Sequence, residues 1–465
     1  MGNSEQDLSN YTCFLNTSFF KKILSTQDFS TAQILQKLHH LKGCIFLKNQ
    51  QHPIISVLPK QFCIAQQHKF DFFSRQKNFE YRLDPCTSDL NSFIEFSQDE
   101  VTSKNVTLPQ GFHGGYLGFI DYNFAANQQI TTHLKPQPNL FIGRYESFLK
   151  YEHGQWFFYS LEPEAEALFE FISAALTKEV QSSFALTQAC QASWTKSEYQ
   201  SAFQKVQDYI VAGDCYQINL TQEFSAKATG QLIETAEQFW HLTEAPYSGY
   251  VKIDDFELLS CSPELFIDFE AKRKLVTKPI KGTMPRYDDP IRDQQSKQLL
   301  ASSKKDQAEN VMIVDLLRND LSVYAEVGSV KTPKLFNIES FNQVHHMVSE
   351  VEATLKAEVN PFEVLLSALP GGSITGAPKI RAMQIIEELE TAPRGAYCGS
   401  MGYFNFDGTG SWNILIRTIQ KYQEDISIWA GGGITISSDS DAEYQECFDK
   451  VKAMLNLLNT WYKPA

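Results

Sequence analysis

From residue 190 onward, strand-like runs follow one another across short turns instead of alternating with helices, and this restricts the sheets the chain can build. Phe256–Lys278 reads as a meander of two strands about a charged turn at Ala271–Lys274. Tyr397–Phe406 and Trp412–Gln420 flank Asp407-Gly-Thr-Gly410, a hairpin signal. Tyr216–Phe224 alternates as a strand does, and Asp425–Ala430 is a further strand. Parallel neighbours need a long crossover, usually a helix, whereas antiparallel neighbours need only a turn. The pattern therefore predicts an α+β fold with antiparallel sheets, not a doubly wound parallel sheet.

Helical periodicity fills the gaps. Ser197–Ala212 reads as a helix stopped by Gly213, and Asp306–Leu317 as another. Asn360 followed by Pro361 marks a helix start. Ala382, Ile385, Ile386 and Leu389 share one apolar face, and Tyr444, Cys447, Phe448 and Val451 share another. The first part of the chain is aromatic-rich and offers only short signals, a strand at Cys44–Leu47 and a glycine-rich turn at Gly111–Gly118. A polar stretch at Leu186–Ser193 is the candidate boundary between an N-terminal region, 1–185, and a C-terminal region, 190–462, expected to intertwine into one compact unit.

The net charge of −14 argues against nucleic acid as a partner, and any anion site must be local. Nine cysteines, odd in number and without a CxxC pair, suggest a reducing, cytoplasmic setting. No apolar run reaches the ~18 residues a membrane span requires, so no membrane partner is expected.

Four features can carry chemistry. Lys281, beside Gly282 at a strand end, is either a solvated surface lysine or an amine made nucleophilic by a depressed pKa. Glu443 and Glu446 share a helix face, and with Glu309 could hold a hard divalent ion; Ser440-Asp-Ala-Glu443 also fits a capping box. Pro370-Gly-Gly-Ser-Ile-Thr-Gly-Ala-Pro-Lys379 leads into a helix and is either an anion-binding loop or a plain turn with Pro378 in the first helical turn. Ala430-Gly-Gly-Gly433 is a weaker signal of the same kind. His345 and His346, adjacent on a strand, point to opposite sides, so at most one serves a given site. Arg417, on the strand after Trp412, matters only if it faces inward towards a carboxylate.

Taken in order, these segments resemble the chorismate-utilising enzymes: the large subunits of anthranilate synthase and aminodeoxychorismate synthase, isochorismate synthase and salicylate synthase. The resemblance is carried by Ala212-Gly-Asp-Cys-Tyr-Gln-Ile-Asn-Leu-Thr-Gln222, Ser262-Pro-Glu-Leu-Phe266, Pro279-Ile-Lys-Gly-Thr283 and Ala308-Glu-Asn-Val-Met-Ile-Val-Asp-Leu-Leu-Arg-Asn-Asp-Leu321. It continues through Val344–Ser349, Gly372–Lys379, Tyr397–Tyr403, Ile414–Arg417, Ala430–Gly433 and Asp439–Lys450. The resemblance implies a two-layered antiparallel sandwich with helices outside and an active-site cleft between lobes.

Two positions divide the family. Gln217 stands where the water-activating relatives carry lysine, so water is not the implied nucleophile. Lys281 stands where anthranilate synthases carry alanine, and resembles the aminodeoxychorismate synthase branch. The resemblance then implies Mg2+ on Glu309, Glu443 and Glu446, Glu264 as general acid, and Lys281 as a covalent nucleophile at C2 of chorismate. Gln217, His346, Ser373, Tyr397, Arg417, Gly431 and Gly433 match substrate-binding positions. Ammonia is implied to come from a glutamine amidotransferase subunit, since nothing here resembles a glutaminase. The implied product is 4-amino-4-deoxychorismate, on the way to 4-aminobenzoate and folate. The alternatives are an anthranilate synthase large subunit and a non-catalytic scaffold that binds an amidotransferase. The chain departs from the family at Leu265, where relatives show arginine, and after Leu321, where Gly-Arg is usual; its N-terminal third lacks a clear tryptophan-binding motif.

Overall fold

The computed structural model describes residues 19–26, 29–67, 69–85, 89–96, 110–180, 182–340 and 344–464. Cys13, Cys86 and the first eighteen residues lie outside them.

Two large sheets, antiparallel in every strand pair described, form the frame. The larger runs in the order Phe20–Ile23, Gln155–Ser160, Ser147–Glu152, Ile54–Ser56, Cys44–Leu47, Tyr247–Ile253, Phe256–Ser262, Thr418–Tyr422, Asp425–Ile434, Gln217–Thr229 and Ala185–Leu186. The smaller runs Ile280–Pro285, Val344–Thr354, Lys274–Thr277, Leu265–Glu270, Gly410–Asn413, Ser400–Asn405, Gly115–Ile120, Leu140–Tyr145, Gln61–Gln66, Lys69–Arg75 and Tyr81–Leu83. The N-terminal region, nearly mute as sequence, thus supplies strands to both. Its poor legibility has a physical cause: many of its strands are covered on both faces. In Gly115–Ile120 every residue is buried, with Leu117 and Phe119 in one apolar cluster and Tyr116 and Ile120 in another. The first cluster draws on both sheets, as in the stacked pair Phe119–Phe256 at 5.3 Å; the second also takes in the helices. A strand buried on both sides loses the polar–apolar alternation that would reveal it.

The α+β architecture is as the hairpin pattern predicts, and Gly213 closes the helix Lys196–Ala212 in a left-handed conformation, φ 84°. The face of Ala382, Ile385, Ile386 and Leu389 is buried along the helix Lys379–Leu389.

Four local expectations are corrected. Phe256–Lys278 is three strands, not two, and they belong to different sheets: Phe256–Ser262 lies in the larger, Leu265–Glu270 and Lys274–Thr277 in the smaller. The segment after Trp412 likewise leaves the smaller sheet at Asn413 and joins the larger at Thr418, so Arg417 is not on a strand but at a passage between sheets, with φ 49°. Pro378 is the N-cap of its helix rather than a residue of the first turn, because Gly376–Ala377 are taken up in pairing with Gln217–Ile218. Asp439, not Ser440, caps the last helix, its carboxylate accepting from the amides of Asp441 and Ala442. Glu443 is thereby released from the capping box. The polar stretch before Ser193 contains two short strands, Ala185–Leu186 and Gln191–Ala192, both paired with Gln217–Thr229.

Candidate active site

The two passages between sheets lie side by side. Ile414 N donates to Glu264 O at 3.2 Å, Cys261 N to Arg417 O at 3.0 Å, and Ser262 Oγ to Ile414 O at 2.6 Å. The sequence positions that resemble a general acid and a carboxylate-binding arginine are thus brought together by paired crossings.

The strand Ile280–Pro285 completes this edge. Its register against Val344–Thr354 slips between Ile280 and Thr283, a bulge that re-aims Lys281. Gly282 sits at φ 82°, and a Cβ there would meet Asp306 at 2.8 Å, so the bulge can approach the helix Lys304–Ser322 closely. Glu264 accepts a hydrogen bond from the Ile280 amide, yet burial dominates and pushes its carboxyl up to about 7; Lys281, that amide, Arg417 and Lys450 oppose the shift. Lys281 moves the other way. Burial, then the charge of Lys450, hold its ammonium below the ordinary lysine range against the pull of Glu309, Glu264 and Glu446. Two groups in one another's field are therefore displaced towards their uncharged forms.

His346 faces this site and His345 does not. Thr283 Oγ1 lies 2.8 Å from His346 Nδ1, and burial followed by the charge of Arg417 brings the imidazole down to about 4. His345 pairs with Ser340 Oγ at 2.8 Å and with Asp293 at 3.0 Å on the other side of the strand.

The glycine run Gly431–Gly433 lies in register with Asn219–Thr221. Successive glycines face opposite ways. A Cβ on Gly432 would stand 2.7 Å from Glu443 Oε2 and 2.9 Å from Glu446 Oε1, and one on Gly433 would stand 2.4 Å from Gln217 Nε2. Only glycine leaves room for both. Glu446 pairs with Lys450 at 2.7 Å, and Lys450 also donates to Gly431 O at 2.7 Å. Glu443 accepts from Ser438 through Oε1, while its buried Oε2 has no partner. Glu309 lies 3.9 Å from Lys305, whose charge also reaches Glu443. Glu443 and Glu446 are thus brought together, and Glu309 shares with Glu446 a field at Lys281; among the described residues, no three His, Cys, Asp or Glu side chains gather closely enough to hold a metal by themselves. An orphaned buried carboxylate oxygen, a second carboxylate beside it and a glycine that leaves the space between them suit a hard divalent cation that takes its remaining oxygens from elsewhere.

Gln217 is buried and neither end of its amide has a hydrogen-bond partner. Leaving such a group unsatisfied costs about 1–3 kcal/mol, so Gln217→Met should raise the melting temperature while lowering turnover. A lower melting temperature in thermal unfolding would mean that the amide stabilises the free protein.

Ser373 stands in a short 3-10 turn, Gly372–Ile374, and Tyr397 is buried with its ring stacked on Trp429 at 6.0 Å. Arg394, considered below, donates to Ile374 O beside Ser373 and lies 5.8 Å from the ring centroid of Tyr397. Sequence reasoning missed Arg394 and Lys450. Lys450 carried a signal, four residues beyond Glu446 on one helix face. Arg394 stands at the same spacing from Glu390, but Glu390 is the C-cap of its helix, so no shared helix face marks the pair and nothing local marks the arginine as buried.

This constellation sets a buried amine beside a buried carboxyl whose pKa is raised to about 7, groups able to serve as nucleophile and proton donor. A family profile described as chorismate binding enzyme matches residues 43–456, and the chain belongs to that family. The chain is 42% identical to aminodeoxychorismate synthase component 1 of Salmonella typhimurium over 352 residues, 75% of this chain and 77% of that protein. It is 40% identical to aminodeoxychorismate synthase component 1 of Escherichia coli K12, over 76% of this chain and 78% of that one. The crystal structure of anthranilate synthase component I from Streptococcus pneumoniae superposes with a TM-score of 0.73 at 26% identity, covering 87% of this chain and 92% of that one.

Proposed function

We propose that the protein aminates chorismate at C4 to give 4-amino-4-deoxychorismate, with Lys281 as covalent nucleophile. The observation that carries this reading is the opposed displacement of Lys281 and Glu264. Burial lowers one pKa and raises the other to about 7, so each group is biased towards the uncharged form its role requires.

The uncharged Lys281 Nζ attacks C2 of the ring. Both ring double bonds shift along the conjugated diene, the C4–O bond breaks, and Glu264 gives its proton to the departing hydroxyl, which leaves as water. Ammonia then attacks C4, both double bonds return to their first positions, and the C2–N bond breaks to release Lys281 as a neutral amine. The Glu264 carboxylate recovers its proton from the new ammonium group. Arg417, Tyr397, Ser373, Gln217 and the amides at Gly431 and Gly433 bind and orient the substrate. His346, held neutral, adds a polar contact without adding charge. Glu309, Glu443 and Glu446 would hold a magnesium ion, which when bound supplies positive charge for the ring carboxylate.

Ammonia comes from a glutamine amidotransferase subunit in this reading; the designation component 1 of the relatives supports a second component. The product serves 4-aminobenzoate and folate synthesis. A cytoplasmic setting fits the seven cysteines among the described residues, all buried free thiols.

Substituting Gly432→Ala tests the metal assignment. The new methyl would press on both carboxylates, and the Mg2+ concentration for half-maximal chorismate consumption should rise about tenfold, ~1.4 kcal/mol of binding. An unchanged Mg2+ titration would remove Glu443 and Glu446 from that role. The whole reading is tested by mass spectrometry of the protein with chorismate and Mg2+ but no ammonia. The expected result is an adduct on Lys281 with the mass of chorismate less one water. No adduct, together with anthranilate once ammonium is added, would overturn it in favour of anthranilate synthesis.

A further inference from the structure

Behind the glycine run lies a buried ion pair that the chemistry above does not use. Arg394 and Glu390 are 1% and 3% exposed. The guanidinium grips the carboxylate with both arms, Nε to Oε2 at 2.8 Å and Nη2 to Oε1 at 2.7 Å. Its other donors reach backbone carbonyls of two separate elements, Ile374 O at 3.0 Å and Asn219 O at 2.7 Å. Glu390 Oε1 in turn accepts from Thr221 N at 3.0 Å and Thr221 Oγ1 at 2.7 Å. Asn219 closes the circuit, its side chain donating to Ile374 O at 2.9 Å and its amide to Thr375 O at 2.8 Å. The face of the guanidinium lies 5.8 Å from the ring centroid of Tyr397 and 4.6 Å from that of Tyr122.

Each element so tied carries a residue assigned above to the substrate. Ile374 follows Ser373. Asn219 and Thr221 are the register partners of Gly433 and Gly431. Tyr397 lies three residues beyond Arg394. We propose that Arg394 and Glu390 are positioning residues that set the spacing of the substrate-binding wall formed by Ser373, Tyr397 and Gly431–Gly433. The planar fork is essential to this role: lysine could meet one acceptor, but not a bidentate carboxylate and two carbonyls in fixed directions. A charge pair this deep is poor evidence of a purely stabilising role, because an apolar pair of similar volume often supports the fold as well.

The proposal rests on the chorismate reading, and the test separates the two. Chorismate consumption with ammonium and Mg2+ is measured for the parent, for Arg394→Lys, and for the double variant Arg394→Met with Glu390→Leu, alongside thermal unfolding of each. The double variant removes both charges together and so leaves none buried alone. The expected result is a KM for chorismate raised about tenfold or more in the folded double variant, a smaller rise in Arg394→Lys, and kcat changed much less. A double variant that melts like the parent with parental KM and kcat would overturn the proposal while leaving the chorismate reading intact. A parent that consumes no chorismate would overturn both. If neither charge variant folds, Thr221→Val decides, since it deletes only one hydroxyl bond to Glu390. A KM raised about threefold supports the positioning role, and an unchanged KM overturns it.

Discussion

Replacing Lys281 with alanine should abolish amination at C4, with kcat/KM falling at least about 1,000-fold, ~4 kcal/mol of transition-state stabilisation. The loss follows from the two-displacement route: without an amine at C2, ammonia has no adduct to displace and the hydroxyl at C4 has no conjugate push. The fold should not suffer. Lys281 holds its proton less tightly in the folded chain than in the unfolded one, so near neutral pH it subtracts stability, and removing it should leave the melting temperature unchanged or higher. Steady-state turnover with product identification by chromatography checks the first expectation, and thermal unfolding the second. A variant that made anthranilate at the parental rate would assign the chain to the other branch. A parent with no Mg2+-dependent turnover at all would favour a scaffold.

Glu264→Gln should cost about 100- to 10,000-fold in the step that breaks the C4–O bond, the usual worth of a positioned general acid. The amide keeps the shape but has no proton to give. The pH profile carries a second expectation. Glu264 acts while protonated, so parental kcat/KM should fall as pH rises through about 7, and this limb should vanish in the residual activity of Glu264→Gln. An alkaline limb unchanged in the variant would assign the titration to another group. The sign for stability is fixed by the same shift. The folded pKa lies above the ordinary carboxylate value, so the favourable contribution of Glu264 is complete below the unfolded value and is lost as pH rises through about 7. Above that pH, Glu264→Gln should be the more stable protein, by an amount on the order of 2 kcal/mol.

Legibility differed sharply along the chain. Features written in a few consecutive residues were open to reading: the cap at Asn360 with Pro361, the left-handed stop at Gly213, the apolar face of Ala382 to Leu389. Each rests on local backbone geometry or on the helical period, and neither needs a partner from elsewhere. The passages at Glu264 and Arg417 were misread as continuous strands, because an apolar run that leaves one sheet for another looks the same as one that stays. The capping box at Ser440 matched in pattern, but Asp439 stood one residue nearer to the free amides and took them. The strands at Gly115–Ile120 and Leu140–Tyr145 went unseen for want of a polar face.

The class of sheet, the family and the residue types that chemistry would require are already written in the linear chain, since hairpin spacing and motif order are properties of residues read in line. The states of those residues arise only on folding. Lys281 and Glu264 carry the same side chains in any sequence; what makes one a poor cation and the other a poor anion is the burial and the neighbouring charges brought to them from distant segments. Desolvation and Coulomb fields depend on distance in space, and that distance is set by how two sheets and their helices close around the site.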